Sequence, residues 1–355
     1  MKIPAPRFLL LLGLPALLHA KTHWEAPLKN PDAWYATAEA QTLAASIVQY
    51  QTPSGGWPKN TDFSSPPSTD FLKDDVPEHR SATIDNNATT VPIQFLAKVI
   101  TASPTTAAPF EASAKKGFDY LLAAQYDNGG WPQFFPLRKG YYTHITYNDD
   151  AMVNVLELLQ AAAAGRAPYA FLDQPRRDRA SAAVAKGIDC ILKTQVKQNG
   201  VLTVWCAQHD EHTFAPAWAR NFEPPSLSGS ESVYIVRFLM SVEKPSPAII
   251  ASVEGAVSWF EKTKITGQRF EFFTNADGEK DRHITPDPSA PLLWARFYEL
   301  DTDRPIFIGR DRVIHYALPD IELERRTGYA FYSARAGSLL AKDYPRWRER
   351  IGTGH

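Results

Sequence analysis

The sequence has little of what marks a metal-stabilised fold or a strongly charged protein. Its 355 residues include only two cysteines, and no histidines and cysteines stand at the spacing of a zinc site. The formal net charge is -1 at pH 7, so no overall field attracts nucleic acid or an anionic membrane. These absences argue against zinc and against a general polyanion-binding protein. They leave the recognition of anions to local arginines.

Long apolar runs are also scarce. The N-terminal run extends from residue 8 to residue 18, after two basic residues and before a small one. A membrane span needs about 20 apolar residues, whereas this pattern is typical of a secretory signal peptide. We predict a signal peptide over residues 1–20, a single domain over residues 21–355, and a secreted or periplasmic protein. Export makes a disulfide between Cys190 and Cys206 chemically possible, and their spacing leaves open whether it forms.

Segments with the alternating pattern of strands are the third absence, and repeated helical patterns take their place. "QYQTPSGGWPKN" begins at Gln49, "QYDNGGWPQF" at Gln125, and a weaker copy, "QVKQNGVLTVW", at Gln195. Each copy follows a segment with Ala, Leu and aromatic residues at every third or fourth position, and its Gly-Gly or Asn-Gly should end that helix. The tryptophan after each turn should pack over the end of the next hairpin.

A second helical segment follows each copy, and these segments begin with "TIDNNAT", "TYNDDAM" and "SLSGSES". The Asp, Asn and Ser residues at these starts are the usual N-cap residues. The repeats predict an all-α dominated fold, an incomplete α/α toroid (α/α barrel) of helical hairpins with long loops. The N-termini of the second helices would then gather at one end of the molecule and line a cleft.

These predicted helix starts carry Asp85, Asp149 with Asp150, and Glu231. Each acid could serve only as a cap or first-turn residue, because helix N-termini favour negative charge. A cap needs one acid, however, and "NDDA" offers two, whose mutual repulsion requires a cation. Calcium binds carboxylate oxygens in a flexible shell, so we predict Ca2+ at Asp149 and Asp150. Which of the two faces the metal is left open.

The segment "WCAQHDEHTFAPAWARNFEPPSLSGSES" is dense in Trp, His, Arg and Pro, a composition typical of an irregular loop beside a cleft. Trp218 and Phe222 are candidate sugar platforms, with Arg220 between them. His209 is a candidate polar group of the site, and a purely structural role for it is the alternative.

Six motifs in order now carry a resemblance to a known family. They are "GGWPKN", "TIDNNAT", "GGWPQFFPLRKGYYTHITYNDDAM", "AQHDEHTFAPAWARNFEPPSLSGSES", "LLWARFYELDTDRPIFIGRD" and "ERRTGYAFY". The chain resembles the family 10 polysaccharide lyases, the pectate lyases, over roughly residues 35–335. The resemblance implies an α/α toroid-like domain that cleaves polygalacturonate by calcium-assisted β-elimination.

The resemblance also implies the residues of the reaction. Asp149, with Asp150 as its neighbour, would bind the calcium ion, and Asp85 would act beside the metal at the scissile bond. Arg220 would remove the C5 proton of the uronate. Arginine has a pKa above about 12, so the alternative is that Arg220 positions the substrate while hydroxide or water removes the proton.

Further arginines would hold the substrate. Arg296 and Arg310 resemble the basic residues that bind uronate carboxylates, and Arg310 is preferred over Arg304. The predicted substrate-binding set is completed by Asn86, His209 and Glu231. The implied partner is polygalacturonate or pectate, with no nucleic acid and no membrane, and the implied state is a monomer.

Three other functions are compatible with parts of the sequence. A glycoside hydrolase on the same kind of barrel would use Asp85 with Asp150 or Glu231 as acid and base. A triterpene cyclase would share the Gln and Trp repeats, but the sequence has no acidic "DxDD" motif. A protein that only binds the polysaccharide would keep the fold and give no turnover.

Overall fold

The computed structural model describes residues 24–74 and 77–352, so the predicted signal peptide lies outside the described residues. The α-helices in chain order are α1 (Ala38–Gln49), α2 (Thr69–Lys73), α3 (Pro77–Arg80), α4 (Thr90–Ala102), α5 (Ala108–Ala124), α6 (Ala151–Ala163), α7 (Gln174–Thr194), α8 (Glu231–Ser241), α9 (Pro247–Thr263), α10 (Leu323–Gly328), α11 (Arg335–Ser338) and α12 (Tyr344–Gly352). Within the described ranges, no helix is both long enough and apolar enough to cross a membrane.

The strands are short and pair only in twos among the described residues. In chain order they are β1 (Ile145–Thr146), β2 (Lys197–Gln198), β3 (Val201–Leu202), β4 (Gln208–His209), β5 (Leu227–Ser228), β6 (Gln268–Thr274), β7 (Lys280–Pro286), β8 (Trp294–Ala295), β9 (Phe297–Tyr298), β10 (Phe307–Ile308), β11 (Ile314–His315) and β12 (Tyr332–Ser333). All pairs are antiparallel: β1 with β4, β2 with β3, β5 with β9, β6 with β7, β8 with β12, and β10 with β11.

The long helices pack in two rows that follow the sequence repeat. The first helices of the hairpins, α1, α5, α7 and α9, contact one another in order, and so do the second helices, α4, α6 and α8. The second helices are buried on most of their surface, whereas α7 buries a single stripe, as expected when one row lies inside the other. We propose the incomplete α/α toroid as the description of this arrangement.

A glutamine at the end of each first helix links one hairpin to the next. Gln125 Nε2 donates to the Gly129 carbonyl of its own turn at 3.0 Å and to the Ala183 carbonyl of α7 at 2.9 Å. Gln51 and Gln195 make the same two kinds of bond. The first copy of the motif is therefore aligned on Gln51, two residues after the Gln49 that begins the quoted stretch.

The repeated tryptophans pack as the sequence predicts. Trp57, Trp131 and Trp205 are fully buried, and each indole N–H donates to a carbonyl of the preceding first helix. Trp57 also closes on α5 of the next hairpin, where a Cβ added to Gly117 would stand 2.6 Å from the indole ring. The prediction that the glycines of the motif end the first helices is wrong in detail. Gly55 has a φ of 108°, but it lies in the turn, several residues after α1 ends.

The segment of residues 264–333, between α9 and α11, departs from the helical repeat, and we call it the insert. It contains β6 and β7, a hairpin of two seven-residue strands, so the predicted absence of strand segments is wrong here. A second hydrophobic cluster, the insert core, lies apart from the main core. Its buried members are Phe222, Phe297, Ile306, Phe307, Ile308, Leu318, Ile321, Tyr329 and Phe331.

The two cysteines do not pair. Cys190 lies on α7 and Cys206 follows Trp205, and both are buried free thiols. The disulfide that the sequence left open is absent from the described structure.

Candidate active site

The starts of α4, α6 and α8 meet at one end of the molecule, and their N-cap residues do not cap through their side chains. The N-cap residues are Thr89, Asp150 and Ser230, and none of them accepts a capping hydrogen bond through its side chain. The predicted caps are therefore wrong at these residues, although Ser228 Oγ accepts from the backbone N–H groups of Ser230 and Glu231 at the start of α8. The side chains of the N-cap residues are available for other contacts.

Two of these starts have the same unusual backbone. Asn86 and Asn87 have φ values of 50° and 59°, and Asp149 and Asp150 have 49° and 63°. Left-handed conformations cost non-glycine residues energy, and Asn and Asp tolerate them best. The repeat thus aligns Asp149 with Asn86 and Asp150 with Asn87. Asp85 is aligned with the residue before the aspartate pair.

A buried arginine holds the acidic residues of the cleft together. Arg296 is 8% exposed, and its Nη2 donates to Glu231 Oε1 and to Asn148 Oδ1 (3.3 Å). Its distance to Asp149 Oδ1 is 3.5 Å. Burial lowers the pKa of Arg296, but Glu231 and the other acids outweigh burial and leave the pKa raised. Arg296 is therefore a permanent cation among carboxylates.

Asp150 is the carboxylate that this arginine compensates least. Burial and the charge of Glu231 raise the pKa of Asp150 to about 7, although Arg335 lies 3.8 Å away. Its Oδ1 is buried without a hydrogen-bond partner among the described residues. A buried carboxylate oxygen without a partner beside two more carboxylates is a donor set that suits a hard cation such as calcium.

Asp85 is buried at the same end of the molecule and is held by two donors. Lys59 Nζ and Gln133 Nε2 donate to its Oδ2 at 2.6 and 2.7 Å. Both donors come from the repeated tryptophan motif, "GGWPK" and "GGWPQ", at equivalent positions. The sequence prediction missed both residues, although the repeat contained the signal that would have found them.

Arg220 is anchored on the other side by a carboxylate. Its Nε and Nη2 donate to Glu223 Oε2 and Oε1 at 2.8 and 2.5 Å, and Tyr329 Oη donates to the same Oε1 at 2.9 Å. Glu223 is 6% exposed, whereas the Arg220 side chain is 45% exposed. Burial lowers the pKa of Arg220, but the pair with Glu223 raises it by more. Arg220 is thus protonated while this pair is intact.

Two halves make up the site: the acidic half is Arg296 with the carboxylates of Asp149, Asp150 and Glu231, and the basic half is Arg220 with Glu223. Tyr329 connects them. The guanidinium of Arg296 lies 4.7 Å from its ring centroid and that of Arg220 lies 6.0 Å from it. A cavity of about 260 Å³ opens on the acidic side of the site, at the aspartate pair. Its lining includes Asn60, Asn86, Asn87, Asp149, Asp150 and Arg335.

The profile of the pectic acid lyase family matches residues 51–340. The chain belongs to the pectic acid lyase family. It is a polysaccharide lyase, which decides against the hydrolase and cyclase alternatives.

Two solved structures of a family 10 polysaccharide lyase from Cellvibrio cellulosa are similar to this lyase. An aspartate-to-alanine variant in complex with trigalacturonic acid is 35% identical, with a TM-score of 0.76 over 90% of this chain and 95% of that chain. The other structure is also 35% identical, with a TM-score of 0.75 over 91% of this chain and 97% of that chain. A comparison with curated proteins gave no significant match.

The remaining predicted arginines of the lyase lie on the insert. Arg310 places its guanidinium 5.3 Å from the Phe222 ring and pairs with Glu324 at 3.1 Å. Arg220 lies 5.0 Å from the same ring. Arg304 instead stacks on Tyr316 at 3.4 Å. The structure therefore brings Arg310, and not Arg304, next to Arg220.

His209 is a correction to the predicted substrate-binding set. It is fully buried, with its Nε2 accepting from the Cys206 N–H at 3.1 Å and its Nδ1 bound to the Phe214 carbonyl at 2.9 Å. Burial lowers the pKa of His209 to about 4, so the ring is neutral at pH 7. Both nitrogens are occupied by backbone, and His209 shapes the loop instead of meeting a ligand.

Phe222 is not a sugar platform either. It is 5% exposed and belongs to the insert core, whereas Trp218 is 43% exposed.

The predicted site lacks Glu223 and Tyr329, because the sequence prediction includes Arg220 without a partner. The short spacing in "ARNFE" was the available signal for Glu223.

Proposed function

We propose that this lyase cleaves polygalacturonate by calcium-assisted β-elimination and releases unsaturated oligogalacturonides. We further propose that it acts as a monomer, outside the cytoplasm after removal of a signal peptide. The observation that carries the proposal is the pairing of two unlike halves in one site. The carboxylates of Asp149 and Glu231 contact Arg296, Asp150 stands beside Asp149 and pairs with Arg335, and Tyr329 lies near both Arg296 and Arg220. The similar lyase of Cellvibrio cellulosa in complex with trigalacturonic acid supports the choice of substrate.

Calcium fits the acidic half, where Asp149 and Asp150 would hold it. The proposal is supported by the partnerless Asp150 Oδ1 and by the Asp150 pKa, which burial and the neighbouring charges of Glu231 and Asp149 raise although Arg335 and Arg296 are near. When bound, calcium would withdraw electron density from the substrate carboxylate and so acidify the hydrogen on the adjacent C5. Within the described ranges, His144, Asp210 and Glu211 form a group of three acidic or histidine residues whose ligand atoms lie within 4.8 Å of one another, whereas Asp149, Asp150 and Glu231 do not approach as closely. The proposed calcium shell is therefore completed by substrate oxygens.

The basic half is proposed to act on the C5 proton and to bind a uronate carboxylate of the substrate. Arg220, half exposed toward solvent, is the residue that we propose for the C5 hydrogen, and Arg310 is proposed to hold a uronate carboxylate. As the C5–H bond breaks, its electrons form the C4–C5 double bond, and the glycosidic oxygen leaves from C4 with the electrons of that bond and takes up a proton from water. Arg220 could accept the proton only after passing one of its own to Glu223. The alternative acceptor is a hydroxide ion that Arg220 orients.

The test is the ultraviolet absorbance of the conjugated product formed from polygalacturonate. We expect wild type to produce it with calcium and to lose the activity with a chelator, because the acidic half then lacks its cation. Arg220→Ala should lower the rate about 1000-fold or more, since it removes both charge and proton relay. Arg304→Ala is the matched control and should retain activity, because the Arg304 guanidinium stacks on Tyr316 and not beside Phe222 and Arg220.

Two outcomes would contradict the proposal. Reducing ends without an absorbing product would indicate hydrolysis, and binding of polygalacturonate without turnover would indicate a binding protein. Full activity in Arg220→Ala would remove Arg220 from the reaction.

A further inference from the structure

The β6–β7 hairpin of the insert has two faces of different character. Its strands pair in register from Gln268 with Pro286 to Thr274 with Lys280, so alternate side chains point to opposite sides. One side carries Phe270, Phe272, Lys280 and Arg282, and we call it the aromatic-basic face. The other carries Arg269, Glu271, Phe273, Asp281 and His283.

The charges of the second side are neutralised within the protein. Arg269 pairs with Asp287 at 2.6 Å, and Asp281 pairs with Arg326 of α10 at 2.6 Å. His283 lies 3.6 Å from Glu271. This side needs no external anion.

The aromatic-basic face lacks such compensation. The Phe272 ring is 43% exposed, and Lys280 Nζ and the Arg282 guanidinium each lie 3.9 Å from its centroid. Arg282 also lies 4.8 Å from the Phe270 ring. Neither Lys280 nor Arg282 forms an ion pair with a carboxylate in the part of the chain that the structure describes. Burial lowers the pKa of Arg282, as expected for a cation without a counter-ion.

This face is attached directly to the catalytic half that contains Arg220. Arg282 Nη1 donates to the Tyr329 carbonyl at 3.3 Å, and the Tyr329 hydroxyl donates to Glu223, the partner of Arg220. At the base of the hairpin, Phe270 packs against Tyr332 with ring centroids 5.1 Å apart. The hairpin is therefore in direct contact with the residues that hold Arg220.

We propose that the aromatic-basic face is an accessory subsite for uronate residues of a polygalacturonate chain that extends beyond the catalytic cleft. An exposed ring can support the apolar face of a sugar, and two unpaired cations match the carboxylates of a polyanion. The proposal rests on the proposed function for its substrate. It adds that the lyase prefers long chains to short ones.

The test compares a long with a short substrate. We expect Phe272→Ala and Lys280→Gln each to lower kcat/KM for polygalacturonate roughly two- to five-fold, the range of exposed contacts, and to leave kcat/KM for trigalacturonate unchanged. Arg269→Gln is the matched control, since it removes the same charge from the same hairpin but from the neutralised side. It should leave both values unchanged. An equal loss on both substrates, no loss on the polymer, or a loss in Arg269→Gln as large as in Lys280→Gln would overturn the proposal.

A binding measurement separates this proposal from the proposed function. In the Arg220→Ala background, electrophoresis through gels containing polygalacturonate should show less retardation when Phe272→Ala or Lys280→Gln is added. Gels with a neutral galactan should show no such difference. If wild type forms no unsaturated product, the proposed function fails, and retardation still reports on the face. Retardation that is unchanged by both hairpin substitutions would overturn the subsite.

Discussion

The helical repeats and the insert build opposite halves of the cleft in different ways. The repeats supply the carboxylates, because Asp85, Asp149 and Glu231 stand at equivalent starts of second helices. The insert and the loop before α8 supply the arginines, and Arg220 lies beside the separate insert core around Phe222. The carboxylates of the acidic half are thus placed by the regular packing of helix starts, and Arg296 of the insert binds among them. The basic half depends on contacts between residues far apart in the chain, such as Tyr329 with Glu223.

This difference predicts where stability and activity can be separated. The main core is continuous through the hairpins, so a defect there weakens the whole domain. The insert core is small and lies under Arg220, Arg310 and Arg325, each of which has its guanidinium within 5.3 Å of the Phe222 ring. A defect there should act first on the geometry of the basic half.

The largest expected effect is a core truncation in each region. Trp131→Ala should lower the free energy of unfolding by about 4 kcal/mol, because a fully buried indole and its hydrogen bond to Leu121 are lost. Phe222→Ala should lower kcat on polygalacturonate, and this loss, expressed as a free energy of activation, should exceed the loss in the free energy of unfolding. Urea denaturation and initial rates, both measured where each variant is folded, provide the comparison. If Phe222→Ala keeps the wild-type kcat, the insert core does not position Arg220.

The second prediction concerns the carboxylate behind Arg220. Glu223→Gln should lower kcat/KM about 100-fold, because Arg220 loses its ion pair and one of the two hydrogen bonds that orient it, and misorientation alone has effects of this size. Tyr329→Phe is the control, since it removes one hydrogen bond to Glu223 and keeps the ion pair. It should have a much smaller effect.

The pH–rate profile of Glu223→Gln distinguishes the two proton acceptors. If Glu223 relays the proton, raising the pH should not restore activity. If hydroxide is the acceptor, the residual rate should rise with pH in parallel with wild type. A variant with wild-type kcat/KM would show that Arg220 needs no partner.

The sequence predicted the regular half well and the irregular half in part. Helix positions, the buried tryptophans and the acidic helix starts follow from local periodicity and from motifs that become visible when the copies are compared. Arg296 was found as a single residue, but its bond to Asn148 spans 148 residues and its bond to Glu231 spans 65. No local pattern predicts such pairs, because tertiary packing alone brings them together.

The errors have the same origin. His209 and Phe222 look like ligand contacts in a polar, aromatic loop, and only folding shows that both are buried. The β6–β7 hairpin carries an alternating pattern in "QRFEFFT", but the strong helical repeat outweighed this short segment. The sequence could have predicted Lys59 as a site residue, since the repeat aligns it with Gln133.

The third prediction concerns the charge state of His209. This residue lies on β4, which pairs with β1, the strand that precedes the aspartate pair. The folded pKa of His209, about 4, lies below its unfolded value of 6.5, so the unfolded state binds a proton first as the pH falls. The contribution of His209 to stability should therefore be lost from about pH 6.5 downward, by about 2 kcal/mol at pH 5. The raised pKa of Asp150 acts in the opposite direction over the same range, but equally in wild type and in His209→Gln. Urea denaturation at pH 7 and pH 5 should therefore show a change in stability that is less favourable at pH 5 by about 2 kcal/mol in wild type than in His209→Gln.

His212 provides the control for that experiment. It lies on the same loop with its side chain 84% exposed, so His212→Gln should retain the full pH dependence of wild type. Equal pH dependence in wild type and His209→Gln would show that His209 is not held neutral in the folded protein.

The smallest expected effect belongs to the repeated glutamines, which have no counterpart in the insert. Gln125→Ala leaves the carbonyls of Gly129 and Ala183 without their donor, and should lower the free energy of unfolding by about 1 kcal/mol. Gln49→Ala is the matched control, because that side chain is exposed and bonds only to its own helix. If the three glutamines stabilise their hairpins equally, Gln51→Ala and Gln195→Ala should lower the free energy of unfolding by about as much as Gln125→Ala does in urea denaturation. Values that differ widely among the three, or a Gln125→Ala value equal to that of Gln49→Ala, would mean that the hairpins are joined mainly by their tryptophans.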